Sequence, residues 1–244
     1  MKASVITLFP EMFSAITENG ITARAKDKGI FSLECHNVRD NVYDVHKSID
    51  DRPYGGGPGM VMLAEPLAKT IGNAKSSLPG GTKVIYVSPQ GKRFDQAKAL
   101  ELSKSDSLIF IAGRYEGVDE RVIDQYVDEE LSLGDYVISG GELAVMVMLD
   151  AIIRLLPGAL GDKASAIEDS FVNGLLDHQH YTRPVEFNGR EVPSVLLSGD
   201  HKLIARWRLK QALGRTFLRR PDLLASTKLN EEQLSLLAEF KREL

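Results

Sequence analysis

The segment 52–60, RPYGGGPGM, is the first feature whose residue types could do chemistry. Its glycines expose backbone donors that can approach a phosphate or a flat base edge without obstruction by a Cβ atom. No Gly-Lys-Ser/Thr follows the glycines, and Met60 stands where a dinucleotide-binding motif would need its third glycine. The segment is therefore neither type of nucleotide-binding loop, and glycines alone would favour a passive turn.

The residues that flank this segment favour recognition of a nucleic-acid base. A splayed RNA base is bound by a stacking surface combined with hydrogen bonds to its edge. Acceptors, cationic donors and an aromatic ring all lie within a few positions of the glycines. These flanking residues are His46, Lys47, Asp50, Asp51, Arg52 and Tyr54.

Two charged residues could serve acid–base and electrostatic chemistry, although each also has a simpler structural interpretation. Asp169 follows Ser165 and Glu168, whose spacing matches a helix capping box, so it fits the first turn of a helix. Arg154 lies four residues after Asp150, which is the spacing of an intrahelical ion pair. An arginine at the end of an apolar helix would also bring a fixed positive charge to the edge of a cleft.

His178 and His180 would share one face of an extended segment. Such a pair could bind a metal ion, but the sequence shows no third ligand at a suitable spacing, so we expect no metal site. Surface or RNA-contacting histidines are the more common case. Trp207, between Arg206 and Arg208, fits a core anchor better than a platform for base stacking.

The stretch 201–220 is basic, although the whole chain has a net charge of −4. It contains no Asp or Glu and could form a phosphate-binding face, with a solvated helix face as the equal alternative. Its basic residues are Lys202, Arg206, Arg208, Lys210, Arg215, Arg219 and Arg220.

Strand and helix patterns alternate along the first 160 residues. Short β-branched runs at 3–9, 31–38, 82–88 and 107–113 predict strands, and amphipathic stretches such as 95–105 predict helices. This alternation indicates an α/β fold with a largely parallel sheet. Loops rich in Gly, Pro and Ser end three of these units, and ligands bind at such loops in α/β folds. The loops are 88–91, 113–117 and 132–142.

The segment 143–156 is apolar nearly all round a helix, so it must be buried on several sides or pack against a second copy. We therefore expect a homodimer. A looser stretch predicts a linker at 161–175, followed by a small helical module at 176–244.

The helices of that module should begin near Asp200 and at Asn230, where Gln233 has capping-box spacing. Gly214 and Pro221 should interrupt the first of them.

The composition predicts an ordinary globular protein, because 43% of the residues are hydrophobic and 26% are charged. The single cysteine, Cys35, cannot form an internal disulfide, which fits a reducing compartment. The apolar run at the N-terminus is too short for a signal peptide or a membrane span. We therefore expect a cytoplasmic protein without membrane association.

Five stretches of the chain, taken together, closely resemble the bacterial tRNA guanine-N1 methyltransferases. The resemblance covers nearly the whole chain, and agreement in several motifs in one order is far more specific than agreement in any single motif. The stretches are DDRPYGGGPGM at 50–60, SPQG at 88–91, GRYEGVDERV at 113–122, LGDYVISGGEL at 133–143 and EDSF at 168–171.

The resemblance implies a SPOUT-type domain at 1–160 whose backbone forms a deep trefoil knot around S-adenosylmethionine. It also implies the linker at 161–175 and a helical tRNA-binding domain at 176–244. A knot is a rare exception to the usual chain topology, and no pattern in the sequence would have suggested it. The donor-binding residues that the resemblance implies are Tyr86, Ser88, Pro89, Gly113, Tyr115, Glu116, Ser132, Leu133, Gly134, Asp135, Tyr136, Val137, Ile138, Gly140, Gly141 and Leu143.

The resemblance also assigns catalytic roles. Asp169 would remove the proton from guanine N1, and Arg154 would stabilise the charge that develops on the base. Glu116, on the donor side of the site, is the third catalytic candidate. The target would be guanosine 37 of tRNA, 3′ of the anticodon and preceded by guanosine 36, with the bases flipped for reading. The implied RNA contacts are His46, Asp50, Gly55, Gly57, Gly59, Ser165, Ser170, Asp177, His180 and Arg183.

Enzymes of this kind are dimers whose active site joins the knot domain of one subunit to the tail domain of the other. They typically require Mg²⁺, for which the sequence shows no ligand set. A ribose-methylating relative and a non-catalytic RNA-binding assembly factor are the alternatives. The first would need no base at guanine N1, and the second would show no affinity for the methyl donor.

Overall fold

The computed structural model describes residues 1–43, 45–161 and 169–244. Its contacts divide the chain into two units, Met1–Lys163 and Ala164–Leu244. Each unit has a hydrophobic core of its own. Within the described residues, every helix is too short or too polar to cross a membrane.

The first unit is built on a sheet of five strands that all run parallel, in the order β2-β1-β6-β5-β7. A two-stranded antiparallel ribbon, β3–β4, lies outside this sheet. The predicted, largely parallel α/β architecture is confirmed. The strands are β1 (Lys2–Thr7), β2 (Ser32–Asn37), β3 (Asp50–Asp51), β4 (Val61–Met62), β5 (Lys83–Arg93), β6 (Ser107–Ala112) and β7 (Glu129–Ser132).

Helices cover both faces of this sheet, which explains why its central strands are continuous apolar runs. Alternate residues of each strand point to opposite faces. Val5 and Phe110 belong to one buried cluster, and their neighbours Ile6 and Ile109 belong to the other. The helices are α1 (Ser14–Thr17), α2 (Gly20–Asp27), α3 (Ala64–Ser76), α4 (Gln96–Leu102), α5 (Glu120–Tyr126) and α6 (Gly141–Ile153), with 3₁₀ turns at Pro10–Phe13 and Val38–Asn41.

Strand β5 is longer than predicted, because residues 88–91 do not end it as a loop. The pairing of β5 with β7 shifts register between Val87 and Lys92, so the predicted loop forms a bulge inside the strand. Gly91 lies against the backbone of Glu130 and Leu131, which leaves no room for a Cβ atom. The bulge therefore depends on a close backbone approach that only glycine allows.

Helix α6 contains most of the predicted apolar segment. Its side towards the sheet is buried, including Val145, Met148 and Leu149. The opposite side leaves Leu143 50% and Val147 53% exposed within this chain. The helix is therefore covered on one side only.

In the second unit a small hairpin is followed by helices. The hairpin turns at Asn188 and Gly189, which both have positive φ, at 52° and 73°. Two such residues are typical of the type I′ turn that matches the twist of a hairpin. The elements are β8 (Glu186–Phe187), β9 (Arg190–Glu191), α7 (Ser194–Leu197), α8 (His201–Arg219), α9 (Pro221–Ser226) and α10 (Glu231–Arg242).

The predicted helix starts of the second unit are confirmed. The carboxylate of Asp200 accepts hydrogen bonds from the backbone N–H groups of Lys202 and Leu203 at the start of α8. Asn230 and Gln233 form the predicted capping box of α10. Both starts are set by local side-chain-to-backbone hydrogen bonds, which explains why the sequence alone identifies them.

Two features of this unit differ from the expectations. Gly214 does not interrupt α8, and it instead lets the ring of Phe240 pack against the helix where a Cβ atom would lie. Leu175, at the end of the predicted linker, is buried with Leu213 and Leu236 in the core of the second unit. Residues 162–168 of that linker, with Ser165 and its predicted capping box, lie outside the described residues.

Candidate functional site

A cavity of about 260 Å³ lies beside the bulge in β5 and at the carboxyl ends of β6 and β7. Its wall consists of the bulge in β5 and of the loops that follow β6 and β7. The loops that follow neighbouring parallel strands lie at the same edge of the sheet, and α/β folds bind ligands at this edge. We call this space the donor cavity, after the residues predicted to bind the methyl donor. The two loops, 113–117 and 132–140, are called the β6 loop and the β7 loop.

Most of the residues predicted to bind the donor line this cavity. Asp135 and Leu143 are the two exceptions. Neither residue lines the cavity, and Leu143 lies on the half-exposed side of α6. The predicted residues that line it are Tyr86, Ser88, Pro89, Gly113, Tyr115, Glu116, Ser132, Leu133, Gly134, Tyr136, Val137, Ile138, Gly140 and Gly141. The lining residues that the sequence reasoning missed are Val87, Arg114, Gly117, Ser139 and Ala144.

Tyr86 forms the floor between β5 and the β6 loop. A Cβ atom on Gly113 would lie 2.8 Å from its ring, so glycine is needed there for the close approach. Burial raises the pKa of Tyr86 to about 12, and the charge of Glu130 acts in the same direction. The phenol therefore stays protonated at neutral pH.

The glycine-rich segment 52–60 is attached to the β6 loop. The backbone N–H of Glu116 donates to the carbonyl oxygen of Met60 at 2.9 Å, and that of Met62 donates to Gly117 at 3.0 Å. The side chain of Glu116 occupies the space where a Cβ atom of Gly59 would lie. The sequence patterns gave no sign that the glycine segment contacts the donor loops. In the structure, backbone hydrogen bonds join the glycine segment to the β6 loop.

Tyr115 connects the β6 loop to the predicted base-reading residue Asp50. Its backbone has a φ of 61°, a left-handed conformation that is uncommon for a residue other than glycine. Burial raises the pKa of Tyr115, the charge of Asp50 adds to the shift, and Arg39 opposes it. The hydroxyl group of Tyr115 therefore lies close to both Asp50 and Arg39, at the edge of the donor cavity.

An ion pair with one fully buried member lies at the wall of the cavity. Glu142, in the first turn of α6, is fully buried and accepts a hydrogen bond at 2.8 Å from Arg114 Nε. Its second oxygen accepts one at 2.9 Å from Thr7 Oγ1. An acidic residue at the start of a very apolar helix was the available signal for this pair, and the sequence reasoning did not use it.

The two main catalytic candidates belong to different units. Arg154 caps the end of α6 in the first unit, where its backbone N–H donates to the carbonyl oxygen of Asp150 at 3.2 Å. Asp169, in the second unit, lines a cavity of about 750 Å³. Asp177, His178 and Arg208 line the same cavity.

Asp177 bridges the two histidines. Its oxygens lie 2.6 Å from His178 Nδ1 and 2.7 Å from His180 Nε2, so it is the third ligand-type residue that the sequence did not reveal. The three groups could hold a metal ion, but as they stand the carboxylate is hydrogen bonded to both rings. Ser170 accepts a hydrogen bond at 2.9 Å from the backbone N–H of Asp177.

The protonation of this cluster follows from its surroundings. Burial opposes the shift, but hydrogen bonds from His180 and His178 lower the pKa of Asp177, which stays ionised. Burial lowers the pKa of His178, against the attraction of Asp177 and with a contribution from Arg208. At neutral pH His178 is therefore a neutral imidazole.

Trp207 is not a buried core anchor. It is partly exposed and contacts the rings of His178 and Tyr181, at centroid distances of 6.4 and 6.3 Å. A second cavity of the unit, about 460 Å³, is lined by His180 and Arg183, which were predicted to contact RNA. His178 and Arg208 line both cavities of this unit.

Acidic residues outside the basic stretch 201–220 partly neutralise its charge, and the stretch contains no Asp or Glu of its own. Arg206 pairs with Glu239 of α10 at 2.6 Å, and Lys210 pairs with Glu239 and Glu243 at 3.0 and 2.8 Å. Hydrogen bonds from Arg206 and Lys210 lower the pKa of Glu239 to about 2. These two basic residues therefore help to join α8 to α10.

A family model described as "tRNA (Guanine-1)-methyltransferase TrmD" matches residues 1–226. The chain belongs to this family. A relative from Aromatoleum aromaticum is 61% identical over 243 residues, which cover 98% of this chain and 92% of the relative. A relative from Proteus mirabilis is 58% identical over 243 residues, covering 100% and 97%. Both carry the name tRNA (guanine-N(1)-)-methyltransferase.

The region that matches the family covers the first unit and most of the second. It contains the donor cavity, and it ends at residue 226, after α9. The relative from Aeromonas hydrophila, with the same name, is 57% identical over 244 residues and covers 100% of this chain and 98% of its own length. Similarity therefore extends through α10 as well.

Proposed function

We propose that this protein transfers a methyl group from S-adenosylmethionine to N1 of guanosine 37 in tRNA. The observation that carries the proposal is the donor cavity, formed by the bulge in β5 and by glycine-rich loops after β6 and β7 in a member of the tRNA (Guanine-1)-methyltransferase family. A cytoplasmic location fits a tRNA substrate.

The residues of the donor cavity suit S-adenosylmethionine. Leu133, Val137 and Ile138 provide apolar surface for the adenine ring, and glycine backbone offers hydrogen bonds without side-chain obstruction. Glu116 provides a negative charge beside the cavity for the positively charged donor. When bound, the donor supplies an electrophilic methyl group on a sulfonium.

Guanine N1 carries a proton, so its methylation needs a base at N1 and a positive group near O6. Asp169 is the base in this proposal, and Arg154 stabilises the negative charge that develops on the guanine. Asp169 lines a cavity wide enough to admit a base, beside Asp177 and Arg208. Glu116 acts on the donor side.

The proposal includes a homodimer in which the donor cavity of one subunit meets the second unit of the other. The exposed apolar side of α6, with Leu143 and Val147, supports contact with a second copy. We also propose the trefoil knot around the β7 loop, with the glycine segment, His46 and Asp50 reading guanosines 36 and 37. A Mg²⁺ requirement is part of the proposal, and its ligands are unassigned.

A single-turnover assay with labelled S-adenosylmethionine and an unmodified tRNA transcript tests this mechanism. Because a general base contributes about 10²- to 10⁴-fold, Asp169→Asn should slow methyl transfer to that extent while donor binding persists. Arg154→Ala should slow transfer as well. Asp222→Asn, which removes an exposed partner of Arg220, is the matched control and should keep wild-type turnover. Wild-type rates in both Asp169→Asn and Arg154→Ala would refute the assigned roles.

A further inference from the structure

One guanidinium joins the β6 loop to the β7 loop at the wall of the donor cavity. Arg114, in the β6 loop, donates from Nε to Glu142 at 2.8 Å and from Nη1 to the carbonyl oxygen of Ser139 at 3.1 Å. Ser139 belongs to the β7 loop, and Glu142 follows that loop in α6. The guanidinium therefore bridges the two cavity walls, next to the backbone hydrogen bond from Gly141 N–H to the carbonyl oxygen of Gly113 at 2.9 Å.

Arg114 has little freedom to adopt another position. Its guanidinium carbon lies 4.5 Å from the centroid of the Phe9 ring, a cation–π contact. The guanidinium also occupies the space where a Cβ atom of Gly140 would lie. Held between the ring and the glycine backbone, the side chain can bridge the loops in one arrangement.

Glu142 fixes this arrangement to the sheet. Its carboxylate is fully buried, and burial of a carboxylate is unfavourable unless charge and hydrogen bonds compensate it. The compensation comes from Arg114, from Thr7 of β1 and from the N-terminal turn of α6. Glu142 does not line the donor cavity, whereas its partner Arg114 does, so Glu142 can act on a ligand there through Arg114.

We propose that Glu142 is a positioning residue, which sets the affinity for the methyl donor by holding Arg114 between the β6 and β7 loops. The proposal rests on the proposed use of S-adenosylmethionine. Without the carboxylate, Arg114 loses its buried anchor and the Ser139 carbonyl is no longer held. The effect belongs to donor binding rather than to the methyl-transfer step, because the side-chain hydrogen bonds of Glu142 go to Thr7 and to Arg114, which lines the donor cavity.

The experiment is a calorimetric titration of the full-length protein with S-adenosylmethionine, combined with steady-state kinetics. Loss of a charge-assisted hydrogen bond corresponds to about tenfold, so Glu142→Gln should raise the donor Kd and KM by about that factor. Its kcat at saturating donor and its KM for tRNA should stay close to wild type. Glu129→Gln, which breaks the Lys98 ion pair at the opposite end of β7, is the matched control and should bind donor normally.

A double variant shows whether Glu142 acts through Arg114. If it does, Glu142→Gln should weaken donor binding no further in an Arg114→Gln background, because coupled residues are non-additive. Additive effects would overturn the proposal, as would a normal donor Kd in Glu142→Gln or a loss of kcat with unchanged donor KM.

If Glu142→Gln does not fold, Arg114→Lys decides the question, since one ammonium cannot span both partners and donor binding should weaken about tenfold. Normal donor binding in that variant would overturn the proposal. Failure of the wild type to bind S-adenosylmethionine would instead refute the proposed function.

Discussion

The two candidate binding regions of this protein differ in the residues that line them. The donor cavity of the first unit is lined by the bulge in β5 and by loops rich in glycine, with the Arg114–Glu142 ion pair at its wall. The cavities of the second unit are lined by ionisable side chains such as Asp169, His178 and Arg208. We therefore expect steric changes to dominate in the first region, and changes of charge or pH to dominate in the second.

The largest expected effect is steric. A Cβ atom on Gly141 would lie 2.8 Å from Ala112 Cα and 2.9 Å from Gly113 N, so Gly141→Ala must push α6 away from the end of β6. Because small misplacements in a binding site can cost about a hundredfold, donor affinity should fall by about that factor, as measured by calorimetry. An unchanged donor Kd would show that the spacing of these loops does not matter.

The second effect concerns charge in the basic stretch. Arg208 is exposed and lines both cavities of the second unit, whereas Arg206 is paired with Glu239. Arg208→Ala should weaken tRNA binding about tenfold and reduce the slope of log affinity against log salt by about one. Filter binding over a salt series measures both quantities.

Arg206→Ala is the matched control for this prediction. It should leave tRNA affinity within about twofold, since its charge is already offset. Equal losses in the two variants would mean that the stretch binds phosphate as a uniform face, without regard to the ion pairs with α10.

The third effect is on the pH dependence of stability. Burial lowers the pKa of His178 below its ordinary value of 6.5, so the unfolded chain takes up this proton at a higher pH than the folded chain. The free energy of unfolding should therefore fall as the pH falls through 6.5 towards the folded-state pKa of His178. His178→Gln should flatten this part of the profile in urea unfolding measured from pH 8 to pH 5.

His180→Gln serves as the comparison for His178→Gln, because the side chain of His180 is 70% exposed. It should leave most of the slope in place. If the wild type is equally stable across this range, the neutral buried imidazole is not part of the stability of the second unit.

The smallest effect is expected at a glycine where space is free. Gly72 lies inside α3 with no atom within 4 Å of an added Cβ atom. Gly72→Ala should raise the free energy of unfolding by up to about 1 kcal/mol, because alanine loses less backbone entropy in a helix. Donor affinity should not change, so this variant is also the control for Gly141→Ala. If Gly72→Ala instead lowered the free energy of unfolding, the added methyl group would make a steric contact that the structure does not show.

Features set by local interactions could be predicted from the sequence. The apolar strand runs identified the parallel sheet, and the caps at Asp200 and Asn230 identified two helix starts. Glycine spacing also located the β6 and β7 loops, because close backbone approaches leave a composition signal.

Features that depend on distant partners could not be predicted. The bulge in β5 arises from pairing with β7, and the Arg114–Glu142 pair joins residues 28 positions apart. The partial neutralisation of α8 by Glu239 requires the packing of α10 against it. The contact of Asp177 with both His178 and His180 could not be predicted, because it depends on how the backbone folds around the two histidines.

The identity of the methylated atom decides whether this protein methylates N1 of guanosine 37, as proposed. A tRNA transcript with guanosines at 36 and 37 would be incubated with the protein, S-adenosylmethionine and Mg²⁺, digested and analysed by mass spectrometry. We expect 1-methylguanosine at position 37, and none in a transcript with adenosine there. A methyl group on a ribose 2′-oxygen or at another nucleotide, or no methylation of either transcript, would contradict it.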